Sequence, residues 1–142
     1  MYLYAIRLLL ERISWYVDEH GGGPAIVTFA HLTRFKSGKL HNYRAALGYS
    51  ITEIRWNAYG GHPFRLNHPN TIELLQVADA TASAQFKAVE PDAYGNREDR
   101  YLRQLRPLLY RRGIANITSY GLKVFPASEA EAGGSLDFLR GF

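Results

Sequence analysis

AIVTFAHL, residues 25–32, decides the fold class. It is a short run of β-branched, aliphatic and aromatic side chains. Gly21, Gly22, Gly23 and Pro24 precede it, and the basic turn TRFKSG (33–38) follows. That is the pattern of a buried strand bounded by turns. Upstream, Leu3, Ile6, Leu9, Leu10, Ile13, Tyr16 and Val17 recur at spacings of three and four, so an amphipathic helix is predicted over 2–19, stopped by the glycines. Downstream, KLHNYRAAL (39–47) is predicted as a short helix ended by Gly48. ITEIRWNAY (51–59) is predicted as a second strand, with Ile51, Glu53, Arg55 and Asn57 alternating imperfectly against Thr52, Ile54, Trp56 and Ala58. GGHPFRLNHPN (60–70) reads as a loop by its glycines and prolines. Thr71 to Glu90 is a second long helix closed by Pro91, and PDAYGN is a turn. Arg97 to Arg112 is a third helix that Pro107 must kink or divide. ITSYGLKVFP (117–126) reads as a final strand or extended arm. Helices alternating with short strands predict an α/β architecture with helices packed on a small sheet. Residues 1–126 are expected to form one domain. The small polar run ASEAEAGGS (127–135) predicts a mobile tail over 127–142.

The 142 residues suit a single domain with a real core. There is no cysteine, which excludes a disulfide framework and a zinc–thiolate site. No stretch approaches the roughly 18 apolar residues of a membrane span. Arg7, Glu11 and Arg12 interrupt the apolar start, so it does not read as a signal peptide. A cytoplasmic protein with no membrane partner is expected. The net charge of +4 is unevenly spread. Six cations against Glu53 make 24–70 carry +5, and six arginines against Glu98 and Asp99 make 97–112 carry +4. Between them, Lys87 against Glu73, Asp79, Glu90 and Asp92 leaves 71–96 at −3. Such basic segments are either solvated surface or phosphate-binding surface. Arg34, Lys36 and Lys39 in the first, and Arg97, Arg100 and Arg103 in the second, are the candidates for nucleic-acid contact.

The acidic segment contains LLQVADATASAQF (74–86), an apolar and small-residue helix with one carboxylate. At about 100° per residue, Ile72, Leu75, Ala82, Phe86 and Val89 cluster as a packing stripe. Asp79 falls at its border, and Gln76, Ser83 and Glu90 continue a polar line on the other side. Ala78, Ala80, Ala82 and Ala84 would let a ligand, a metal or another backbone come close. A buried carboxylate needs a cation, a donor or a metal. Asp79 is therefore a metal ligand, a structural hydrogen-bond acceptor or a solvated residue.

Five stretches resemble the bacterial domain-of-unknown-function family 3800. They are LLLERISWYVDE (8–19), VTFAHLTRFKSGKL (27–40), LLQVADATASAQFKAVEPDAYGN (74–96), RYLRQLRPLLYRR (100–112) and TSYGLKVFP (118–126), with LQVADATASA (75–84) the most specific. The resemblance implies a ribonuclease H-like fold and a nuclease-related function. It gives Asp79 the place of the late-helix carboxylate that ligates Mg²⁺. In such enzymes, metals about 4 Å apart stabilise the attacking and leaving oxygens of a phosphodiester. The family's opening strand carries an aspartate–glutamate–serine–glycine motif. Here the first strand has no acid, and its one ionisable residue is His31. Mg²⁺ needs more oxygen ligands than one carboxylate supplies. The chain is therefore expected to represent the C-terminal part of such a domain, without the first strands, and to be inactive alone. A missing N-terminal segment would complete it as a Mg²⁺-dependent nuclease. The alternative is a non-catalytic module that binds nucleic acid or protein. A small, incomplete sheet predicts exposed apolar surface, an open strand edge and self-association.

Other constellations are weaker. His62 and His68 flank PFRLN in the long loop without a third ligand. Glu11 and Arg12 read as surface or interhelix partners, and Trp15 and Trp56 as core or interface residues. Tyr94, Gly95 and Asn96 are turn chemistry. There is no Gly-rich phosphate loop, nucleophile motif or zinc finger.

Overall fold

A computed structural model describes residues 2–30, 37–113, 117 and 120–122. The chain is α/β and divides into two compact units, Met1–Leu75 and Gln76–Phe142. The first contains helix α1 (Tyr2–His20), strand β1 (Thr28–Ala30), helix α2 (Ser37–Tyr49), a 3₁₀ turn (Trp56–Tyr59), strand β2 (Arg65–Asn67) and a second 3₁₀ turn (Pro69–Thr71). Helix α3 (Glu73–Val89) begins at the end of this unit and runs through the second, which also holds α4 (Arg100–Leu105) and a 3₁₀ turn (Arg106–Leu108). No helix of the described residues is long and apolar enough to cross a membrane.

α1 forms where periodicity predicts it. Ile6, Leu10, Glu11, Ser14 and Trp15 are its buried positions, one side of a 3.6-residue helix. The helix ends when the Gly21 N–H donates to the Val17 carbonyl at 2.8 Å with Gly21 at φ 71°, a left-handed geometry that favours glycine. β1 and β2 pair in parallel, with Thr28 opposite Arg65, Phe29 opposite Leu66 and Ala30 opposite Asn67. Side chains alternate across a strand, so Val27 and Phe29 share a face with their counterparts Phe64 and Leu66. That face packs on the core of Ile6, Leu10, Leu40, Leu47, Ile54, Tyr59 and Phe64. Tyr59 and Phe64 meet edge to face, as do Phe29 and Phe64, with centroids 6.3 and 5.8 Å apart. Each fully buried side chain of this size contributes roughly 1.5–3 kcal/mol.

Two expectations fail in this unit. β2 lies inside the 60–70 stretch read as a loop, because the flanking glycines and prolines mask a three-residue strand whose central Leu66 and preceding Phe64 pack on the core. Conversely, the strand predicted over 51–59 does not form: 51–55 has no regular structure, and 56–59 is a 3₁₀ turn. α1 side chains take the place of a neighbouring strand here. The Ser14 Oγ accepts the Arg55 N–H at 3.1 Å, the Glu11 Oε1 accepts the Glu53 N–H at 3.4 Å, and the Trp15 indole donates to the Glu53 carbonyl at 3.0 Å. Backbone groups satisfied this way have no need of a ladder. Arg55 also pairs with Asp18. The chain returns closely over the 3₁₀ turn: a Cβ on Gly60, at φ 53°, would lie 2.6 Å from Pro24.

In the second unit, Pro107 divides the predicted 97–112 helix into α4 and a 3₁₀ turn. The PDAYGN turn is closed by Asp92, whose Oδ1 accepts the Tyr94 and Asn96 N–H groups at 2.9 and 2.8 Å. The strand or arm predicted over 117–126 lies mostly outside the described residues, and the tail predicted over 127–142 lies wholly outside them. Phe86 and Leu108 are each more than half exposed, as are Ile51 and Leu74 of the first unit.

Candidate functional site

Five alanines give α3 strong helix propensity, and two of them set its buried side. Ala84 and Ala88 are its buried residues. The packing stripe predicted from Ile72, Leu75, Ala82, Phe86 and Val89 is therefore misplaced. Phe86 is 64% and Val89 43% exposed, Ala82 is exposed, and Ile72 and Leu75 are half-buried. Alanine carries little hydrophobic weight in a periodicity count, yet its small side chain is what permits close approach. Asp79 stands about 140° and 180° round the helix from Ala84 and Ala88, so it projects from the open side. Its carboxylate is exposed and makes no side-chain hydrogen bond or ion pair among the described residues. Gln76, Ser83 and Glu90 share that side and are exposed too.

No group of three or more metal-ligating side chains assembles among the described residues. Asp79 is thus one oxygen-donor side chain on an open helix face. His62 is exposed, and the His68 Nδ1 accepts the Asn70 N–H at 3.4 Å.

The basic candidates separate into three situations. Arg34 and Lys36 lie outside the described residues, and Lys39 is exposed on the first turn of α2. The Arg97 Nε donates to the Val89 carbonyl at 2.8 Å, which fastens the turn after α3. Arg100 grips Glu98 through its Nε and a terminal nitrogen at 2.8 and 2.5 Å, and the Arg103 Nε meets Asp99 at 2.7 Å. Arg100 and Arg103 therefore pair with the two carboxylates already counted in the +4 of this segment.

The Arg100 guanidinium draws the Glu98 carboxyl down from 4.5 to about 2, and backbone amides of the 92–96 turn likewise hold Asp92 below the usual carboxylate range. Both groups are more acidic folded than unfolded. Their contribution to the order of the 90–100 segment is present above the ordinary carboxylate pKa and is lost as pH falls toward 2. Carboxyl carbon shifts followed by NMR should give Glu98 a midpoint near 2, and Arg100→Gln should return it to the usual range.

Sequence reasoning missed the buried polar cluster on α1. Glu11 is 5% exposed and Ser14 fully buried, so Glu11 is not a surface partner. The Arg7 Nε donates to it at 2.9 Å, and an Arg12 nitrogen lies 3.6 Å away. The signal was present: Glu11 and Ser14 adjoin Leu10 on the apolar side of the helix, spaced by three. Across the core, the Arg44 guanidinium lies over Trp56 and Phe64 at 5.7 and 5.4 Å, its Nε buried without a hydrogen-bond partner among the described residues. Trp15 is buried and Trp56 packs against the core, as expected. Comparison with known proteins finds no matching family model, curated protein or solved structure.

Proposed function

We propose that this chain is a nuclease-related module of ribonuclease H-like type that presents one metal-ligand carboxylate, Asp79, and does not cleave nucleic acid by itself. One observation carries the reading. Among the described residues Asp79 has no side-chain partner, and it stands on the open side of α3, the side that also carries Leu75 and the exposed Phe86. A surface that covered these apolar groups would desolvate the carboxylate, which then requires a cation. The sequence resemblance supplies the identity of that cation, Mg²⁺, and a cytoplasmic setting fits a chain without cysteine.

The chain alone is expected to show no Mg²⁺-dependent cleavage of RNA or DNA. Millimolar Mg²⁺ should produce weak, unsaturated NMR shifts centred on residues 76–83, and these should vanish in Asp79→Asn. Because Asp79 is exposed and unpaired, that substitution should change stability by less than about 0.5 kcal/mol. Cleavage by the chain alone that depends on Asp79 would overturn the non-catalytic part. Mg²⁺ shifts that ignore Asp79 would overturn its role. The exposed cations Lys39, Arg97 and Arg111 favour a second reading, phosphate-backbone binding without cleavage. Oligonucleotide affinity falling steeply with salt, and indifferent to Asp79→Asn, would select it.

A further inference from the structure

Within the second unit, α3 and α4 do not close on each other along their whole length. α4 is six residues long and stops at Leu105, ahead of Pro107, while α3 places the small Ala80 and Ala84 among its facing positions. The result is a hollow of about 500 Å³. Val77, Ala80, Ala84 and Leu105 make it mainly apolar, and the Tyr101 ring forms part of its wall. Val77 and Tyr101 are more than half exposed, so apolar surface here faces solvent. Among the described residues, Lys87 is the single charged side chain of the lining, with the neutral polar Ser83 and Gln104 beside it. Lys87 acts on Glu98 from a distance, but that carboxylate is already held by Arg100, which leaves the ammonium's donors uncommitted among the described residues.

We propose that this hollow binds a small amphiphile with an apolar body and an anionic head, of the class of medium-chain carboxylates. Its volume lies in the range of small-molecule sites, roughly 300–1,000 Å³. The apolar lining removes a hydrocarbon body from water. Lys87 sets the sign of the head group by charge complementarity, and Ser83 and Gln104 add hydrogen-bonding capacity. Asp79 is not among the lining residues, although Ser83 borders both the hollow and the Asp79 side of α3.

Decanoate, below its micelle concentration, is the probe, and calorimetry with the full chain is the measurement. Saturable one-site binding is expected. Ala80→Phe fills the hollow from an exposed helix position and should abolish binding while leaving the helical circular dichroism unchanged. Lys87→Gln should weaken binding about threefold, the scale of one exposed ion pair. Absence of saturable binding, or binding that survives Ala80→Phe, overturns the site. Equal affinity for decanol overturns the anionic class.

Discussion

Tyr59→Ala is expected to cost the first unit about 4 kcal/mol, a large share of the roughly 5–15 kcal/mol that holds a typical domain together. Tyr59 is 1% exposed and belongs to the cluster formed by both long helices and the strand-flanking residues of this unit. Deleting its ring removes the edge-to-face contact with Phe64 and opens a cavity that neighbouring side chains fill only in part. Its hydroxyl donates to the Leu10 carbonyl at 2.5 Å. Tyr59→Phe isolates that bond and should cost about 1 kcal/mol. Urea titration with an unchanged slope would measure both effects, and an alanine cost near that of phenylalanine would sink the claim that the ring organises the core. The two variants also separate at high pH. Burial pushes the Tyr59 phenol well above its ordinary range, so the folded state keeps a proton that the unfolded state gives up. Its contribution is complete below a pH of about 10 and declines as pH rises above it. Tyr59→Phe should lack that part of the alkaline decline.

Glu11→Ala should be the second most damaging change, at about 3 kcal/mol. The carboxylate is buried against Arg7, Arg12 and the Glu53 amide. Its removal leaves two cations without their counter-charge and one backbone donor without an acceptor. Arg7 is about a third exposed, so water recovers part of that loss and places the estimate toward the lower end of the range for broken buried pairs. Glu11→Gln keeps the volume and an acceptor oxygen and should cost about 1 kcal/mol. A double-mutant cycle with Arg7→Met isolates the pair. Coupling near zero would make this an ordinary surface bridge and assign the cost of Glu11→Ala to the Glu53 amide.

These two residues also mark what the sequence could reveal. α1 and α3 were legible because helical periodicity and glycine or proline stops agree at their ends, whereas α2 was legible in position but runs to Tyr49, through the Gly48 expected to end it. β1 was legible in position, though among the described residues 25–30 its paired portion is Thr28–Ala30. The division at Pro107 followed from the missing amide alone. The 51–59 segment was misread because local pattern cannot reveal that acceptors for Glu53 and Arg55 come from a helix some forty residues earlier. The same contact hid the burial of Glu11. On α3 the type of element was plain and its orientation was not. Phe86 and Val89 outweigh Ala84 and Ala88 in hydrophobicity, yet the alanines are the buried pair. Asp79 was found by its isolation among apolar neighbours, and its exposure follows from that reversed orientation.

The bonds from Glu11 and Ser14 to residues 53 and 55 bear on the order of folding. They span 42 and 41 positions. Nothing local substitutes for them, since a helix such as α1 takes most of its stability from tertiary packing. The chain must close a loop of that length before either partner gains its stabilisation, and the entropic cost falls ahead of the reward. These bonds of α1 therefore form only when residues 53 and 55 arrive, which makes them a late event in the assembly of the unit.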